Sequence, residues 1–79
     1  MYTEYELEEL EKELLQEKER TRKELEELEK KIARTGIGPE DDDYIREELL
    51  SKNLAYADAS IALKDYLNYM KLRRFHALH

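Results

Sequence analysis

Gly36-Ile37-Gly38-Pro39 contains both glycines and the only proline of the chain, so the backbone is free to reverse at one place. On either side the sequence is rich in Leu, Glu, Lys, Arg and Ala, all good helix formers, and valine is absent. The quartet therefore separates two long helices. Gly36 suits the left-handed residue after the last turn of the first, with Ile37 covering that turn as a Schellman contact. Pro39 suits the first turn of the second, where its missing N–H costs nothing. The predicted spans are 3–35 and 39–77 with a loop over 36–39, making helices of roughly 48 and 57 Å at 1.5 Å per residue.

The outer ends agree with this division. Thr3-Glu4-Tyr5-Glu6 has the form of a capping box, and Tyr2 and Leu7 flank it at the positions of a hydrophobic staple. Glu40, Asp41, Asp42 and Asp43 place four carboxylates at the positive end of the second helix. Each helix begins acidic and finishes basic, the first with Lys30, Lys31 and Arg34, the second with Lys71, Arg73 and Arg74. Folding back at the loop sets each acidic start beside a basic finish, so an antiparallel hairpin satisfies both dipoles.

Composition narrows the class. The 79 residues carry 14 Lys+Arg and 20 Asp+Glu, a net charge of −6, yet 41% are apolar, too many for a disordered polyelectrolyte. The length fits a single domain over 1–79. Apolar residues come in short runs, so no membrane span or signal-peptide core is expected, and localisation is left open. Without cysteine there is no disulfide, thiolate metal site or Cys nucleophile. The acidic balance argues against a nucleic-acid partner, and the short Lys71, Arg73, Arg74 cluster reads as complement to a helix dipole.

The stripes speak about partners. In the first helix Leu7, Leu10, Leu14, Leu25, Leu28 and Ile32 form one narrow stripe, with Lys18 and Thr21 filling its middle. These eight positions cover 25 residues in seven steps, 3.57 per step, close to a straight helix with a stutter after Leu14. The second helix has a matching stripe of Ile45, Leu49, Tyr56, Ser60, Leu63, Leu67 and Met70. Pivoting about the loop, residues whose numbers sum to about 75 face each other, which brings Lys18 and Thr21 against the small residues around Ala55–Ser60. The predicted hairpin core is Leu7, Leu10, Leu14, Leu25, Leu28 and Ile32 with Ile45, Leu49, Tyr56, Leu63, Leu67 and Met70.

A further stripe, Leu50, Leu54, Ala57, Ile61, Leu72 and Phe75, is left over. One narrow stripe cannot bury two, and a lone two-helix hairpin encloses little core. The least costly cover is a second copy, giving a homodimeric four-helix bundle. The alternative is a binding module, an inhibitor or adaptor, that presents this face to another protein. Asn53, Ser60, Asn68, Tyr56, Tyr66 and Tyr69 lie on or beside the stripes. They either form a buried network that fixes register or pack at the rim with their polar tips in water.

No catalytic constellation stands out, so no enzyme activity and no cofactor are expected. Asp41-Asp42-Asp43 lacks the alternating spacing and central glycine of a calcium loop. His76 and His79 are three apart, but a closed metal site there needs ligands from elsewhere. The stretches Tyr2-Thr3-Glu4-Tyr5-Glu6-Leu7-Glu8-Glu9-Leu10-Glu11-Lys12-Glu13-Leu14 and Lys23-Glu24-Leu25-Glu26-Glu27-Leu28-Glu29-Lys30-Lys31 resemble de novo designed helical-hairpin bundles in their caps, Glu/Lys surface and Leu spacing. That resemblance implies a structural, self-assembling protein. It covers the first helix. The second, with its tyrosines and its Arg73-Arg74-Phe75-His76 end, departs from it.

Overall fold

The computed structural model describes residues 2–78, with side chains through residue 76. Helix α1 runs Glu4–Thr35 and α2 runs Asp43–Leu78, and the described residues contain no strand. Thr3 is extended (φ −75°, ψ 163°). Its Oγ1 accepts the Glu6 N–H at 3.1 Å, and the Glu6 carboxylate accepts the Thr3 N–H at 3.4 Å. The capping box thus satisfies donors that the first turn leaves without helical acceptors.

The loop differs in detail from the sequence reading. Gly36 is left-handed (φ 72°, ψ 5°), a conformation that penalises any Cβ, and its N–H donates to Ile32 C=O at 2.9 Å. The Ile37 N–H turns instead to Thr35 Oγ1 at 3.4 Å, and the Ile37 side chain is 46% exposed. The end is therefore a single-bond left-handed cap, and Ile37 does not cover it as a Schellman contact would. Pro39 does not open α2. It occupies a turn in which Gly38 C=O accepts from the N–H groups of Asp41 and Asp42 at 3.1 and 3.2 Å. Asp42 then caps the helix, its Oδ1 accepting the Tyr44 N–H at 2.8 Å and its C=O accepting from Arg46 at 3.1 Å. A proline suits the second position of such a turn as well as a first helical turn, and an aspartate cap three residues on decides between them.

The helices pack antiparallel into a rod of 57 × 18 × 17 Å. Tyr66 Oη donates to Leu7 C=O at 2.7 Å, and Lys52 Nζ lies 3.4 Å from a Glu24 carboxylate oxygen. The paired numbers add to 73 and 76, the facing expected from a pivot at the loop. Leu7, Leu28, Ala59, Leu63 and Tyr66 are buried, with Thr21 buried among them. Leu10, Leu14, Leu25, Ile32, Ile45, Leu49, Tyr56 and Met70 are half-buried along the same seam.

Leu67 is the exception among the predicted core residues. It is 42% exposed, and Tyr66 takes the inward position. On α2 the covered residues include the series 45, 49, 52, 56, 59, 63, 66, 70 and 73, alternating steps of four and three, with Ala55 and Ser60 half-buried beside it. That spacing keeps a seam facing its partner helix, and it selects Ala59 over Ser60 and Tyr66 over Leu67. Tyrosine gains doubly there, since its ring is covered and its hydroxyl reaches a backbone acceptor. Burial also pushes the Tyr66 phenol above its ordinary pKa.

Along α1, Arg20 bridges Glu17 and Glu24, and Arg22 bridges Glu19 and Glu26. The arginine hydrogen bonds hold the Glu17 and Glu19 carboxyls below the usual range. These pairs are solvent-exposed and contribute little each. They lie along the solvent side of α1, where Tyr5 and Leu15 are also exposed.

Candidate protein-interaction surface

The second stripe of α2 is exposed. Leu50, Leu54, Ile61, Leu72 and Phe75 show 56–60% of their surface to solvent, and Ala57 is open as well. Every residue of the predicted interface set is thus left uncovered by α1. At 100° per residue, this stripe is centred roughly 160° around α2 from the seam that meets α1. The helix therefore has two apolar sides facing nearly opposite directions, with only narrow polar flanks between them. A helix apolar on both sides is at home inside an assembly.

The other sequence candidates are dispersed. Asn53 donates to Leu49 C=O of its own helix at 2.9 Å, and Asn68 and Tyr69 are exposed. Tyr66 alone of this group reaches across to α1. Among the described residues these side chains share no hydrogen bond with one another: Asn53, Asn68 and Tyr69 sit at the rim, while Ser60 Oγ is buried. The acidic run splits by role: Asp42 caps, Asp43 begins the helix and Arg46 pairs with Asp43, while Asp41 turns back towards the Gly38 N–H at 3.5 Å. His76 stands edge-on to Phe75, with ring centroids 5.8 Å apart. His79 lies outside the described residues, and among those described no three His, Cys, Asp or Glu come together.

The polar interruption of α1 does meet small residues. Thr21 is fully buried, and its hydroxyl is satisfied within α1 by the carbonyls of Glu17 and Lys18, both at 2.9 Å. Ala59, one of the small residues of α2, is buried as well. Lys18 is half-buried and Ser60 Oγ is buried with no hydrogen-bond partner. The sequence reading placed Lys18 and Thr21 opposite the Ala55–Ser60 stretch and gave Ser60 a place in a buried network or at the rim, but did not pair it with Lys18. The available signal was a lysine standing in a leucine stripe.

No helix in the described chain is long and apolar enough to cross a membrane. No protein-family model, curated protein or solved structure matches the chain.

Proposed function

We propose that the protein is a structural, self-assembling hairpin whose outer α2 face is covered by the same face of a second copy, giving a two-fold four-helix assembly. The observation that carries this reading is the run of five large apolar side chains, each more than half exposed, nearly opposite the seam of a helix otherwise committed to the core. A hairpin with five buried apolar residues has little enclosed core of its own, and a second copy supplies the rest.

Charge favours a second copy of this chain, laid antiparallel. α2 starts with Asp43, Glu47 and Glu48 and finishes with Lys71, Arg73 and Arg74. Parallel copies would stack like charges at both ends and align two macrodipoles. Antiparallel copies bring opposite charges together and oppose the dipoles. The stripe suits the same arrangement, because its midpoint falls between residues 62 and 63. Leu50 of one copy then meets Phe75 of the other, and Leu54 meets Leu72.

Thermal unfolding followed by circular dichroism tests the reading. A tenfold rise in chain concentration is expected to raise the midpoint by several degrees, because assembly and folding are coupled. A midpoint independent of concentration would contradict it. Marginal helicity that rises only when a foreign protein is added would favour the binding-module alternative.

A further inference from the structure

Two departures from ordinary core chemistry sit together at the middle of the rod. Lys18 occupies a seam position of α1 where the pattern calls for an apolar residue, and it is half-buried with no carboxylate among the described residues paired to it. Ser60 on α2 has a buried Oγ with no partner, not even the carbonyl four residues back that serines in helices commonly use. A buried hydroxyl left unsatisfied is costly, and such violations in an otherwise consistent sequence concentrate where something binds. Both residues line one groove of about 480 Å³ between the helices. Lys64, Lys71 and Arg74 line it too, following Ser60 along one flank of α2 at steps of four, seven and three.

The lining thus carries four cations and a single carboxylate, Glu11, in a chain whose net charge is −6. Among the described residues the ion pairs engage Lys12, Arg20, Arg22, Arg46 and Lys52, and none of these four cations. A cleft lined by one sign of charge concentrates counter-ions, and ammonium, guanidinium and hydroxyl groups all donate to oxyanion oxygens. Leu63, Leu67 and Met70 add apolar surface to the lining. Its size falls in the range of small-molecule sites.

We propose that this groove binds a small organic oxyanion, a phosphate-type head with a short apolar body. Lys18 and the Ser60 hydroxyl hold the head, and Leu63 and Met70 cover the body. Binding turns the Ser60 hydroxyl, buried in the free hairpin, out towards the head. The lining shares no residue with the Leu50–Phe75 stripe, so ligand binding and self-assembly are read by separate measurements.

Phenyl phosphate and inorganic phosphate are the probes, titrated into the full-length chain at low ionic strength by calorimetry and by amide chemical shifts. The expected result is one saturable site per chain, with shifts centred on residues 18, 60, 63 and 64 and at least threefold tighter binding of phenyl phosphate. Lys18→Met and Ser60→Ala are each expected to weaken binding at least fivefold while the sedimenting mass and helicity stay those of the parent. A Lys30→Met/Lys31→Met control is expected to stay within twofold. Absence of a saturable site, or equal weakening by all three variants, would overturn the site. Equal affinity for the two probes would overturn the assignment of an apolar body.

Discussion

Ile61→Asp is expected to dissolve the assembly and most of its helicity together. Ile61 sits mid-stripe on the outer face of α2 and is 56% exposed in the single hairpin. Within one chain the substitution therefore meets water, and an exposed change of this kind shifts stability by about half a kcal/mol or less. Covered by a second copy, the same carboxylate is forced between apolar surfaces, once from each chain. An unpaired buried charge costs several kcal/mol or shifts its pKa to stay neutral. Taking about 3 kcal/mol as a working figure, dimer dissociation should rise more than 100-fold. Because the hairpin alone buries so little, loss of the partner carries helix content with it. Sedimentation and far-ultraviolet circular dichroism on one sample read both effects. Acid should partly restore the dimer, since neutralising the carboxyl removes the desolvation penalty. A variant with unchanged mass and melting would place Ile61 in solvent and end the self-assembly reading.

Leu63→Ala is expected to be the most damaging truncation inside the hairpin, and Leu67→Ala nearly silent by comparison. Leu63 is 6% exposed and sits centrally in the seam between Ala59 and Tyr66, whereas Leu67 is 42% exposed on the flank. Truncating a buried leucine costs roughly 2–5 kcal/mol through lost transfer energy and the cavity left behind. For Leu67 only the already half-solvated side chain is lost, so about 1 kcal/mol is a generous figure. The pair separates two registers of α2 that differ by a single residue. If Leu67→Ala lowered the unfolding midpoint as far as Leu63→Ala, the seam would run through Leu67 and not Tyr66. Denaturant melts of both variants, at equal chain concentration, decide it.

The contrast between Leu63 and Leu67 also marks how far the sequence alone could be read. Helix existence, the reversal at Gly36–Pro39 and the antiparallel pairing follow from helix breakers, caps and charge, which act within a few residues. The pairings 7 with 66 and 24 with 52 fall where a pivot at the loop puts them. Which of two adjacent residues points inward is a finer matter. Leu67 and Tyr66 are both apolar enough to qualify, and a stripe picked by hydropathy prefers the leucine. The choice depends on the four-three alternation being kept along the whole of α2 and on the Leu7 carbonyl standing within reach of a phenol. Neither is visible in a local window. Pro39 is a similar case, because turn and first helical turn ask the same φ of it, and Asp42 breaks the tie through a bond to the Tyr44 N–H.

The surplus stripe was legible for a different reason. Leu50, Leu54, Ala57 and Ile61 are offset from Leu49, Tyr56 and Leu63 by amounts that no single contact can cover, so counting faces sufficed. The groove beside Lys18 was not legible. A lysine in a leucine stripe reads as a register interruption until the partnerless hydroxyl of Ser60 appears across from it. The leucine seam closes the hairpin, the second stripe of α2 is left exposed, which is the ground for the proposed second copy, and the polar break borders a cation-lined groove.

Sedimentation equilibrium of the full chain across a hundredfold concentration range tests the central claim most directly. The account predicts a mass that rises towards about 19 kDa, twice the 9.6 kDa of one chain, with the fraction assembled tracking helix content. A mass held at 9.6 kDa across the range, with helicity intact, would contradict it.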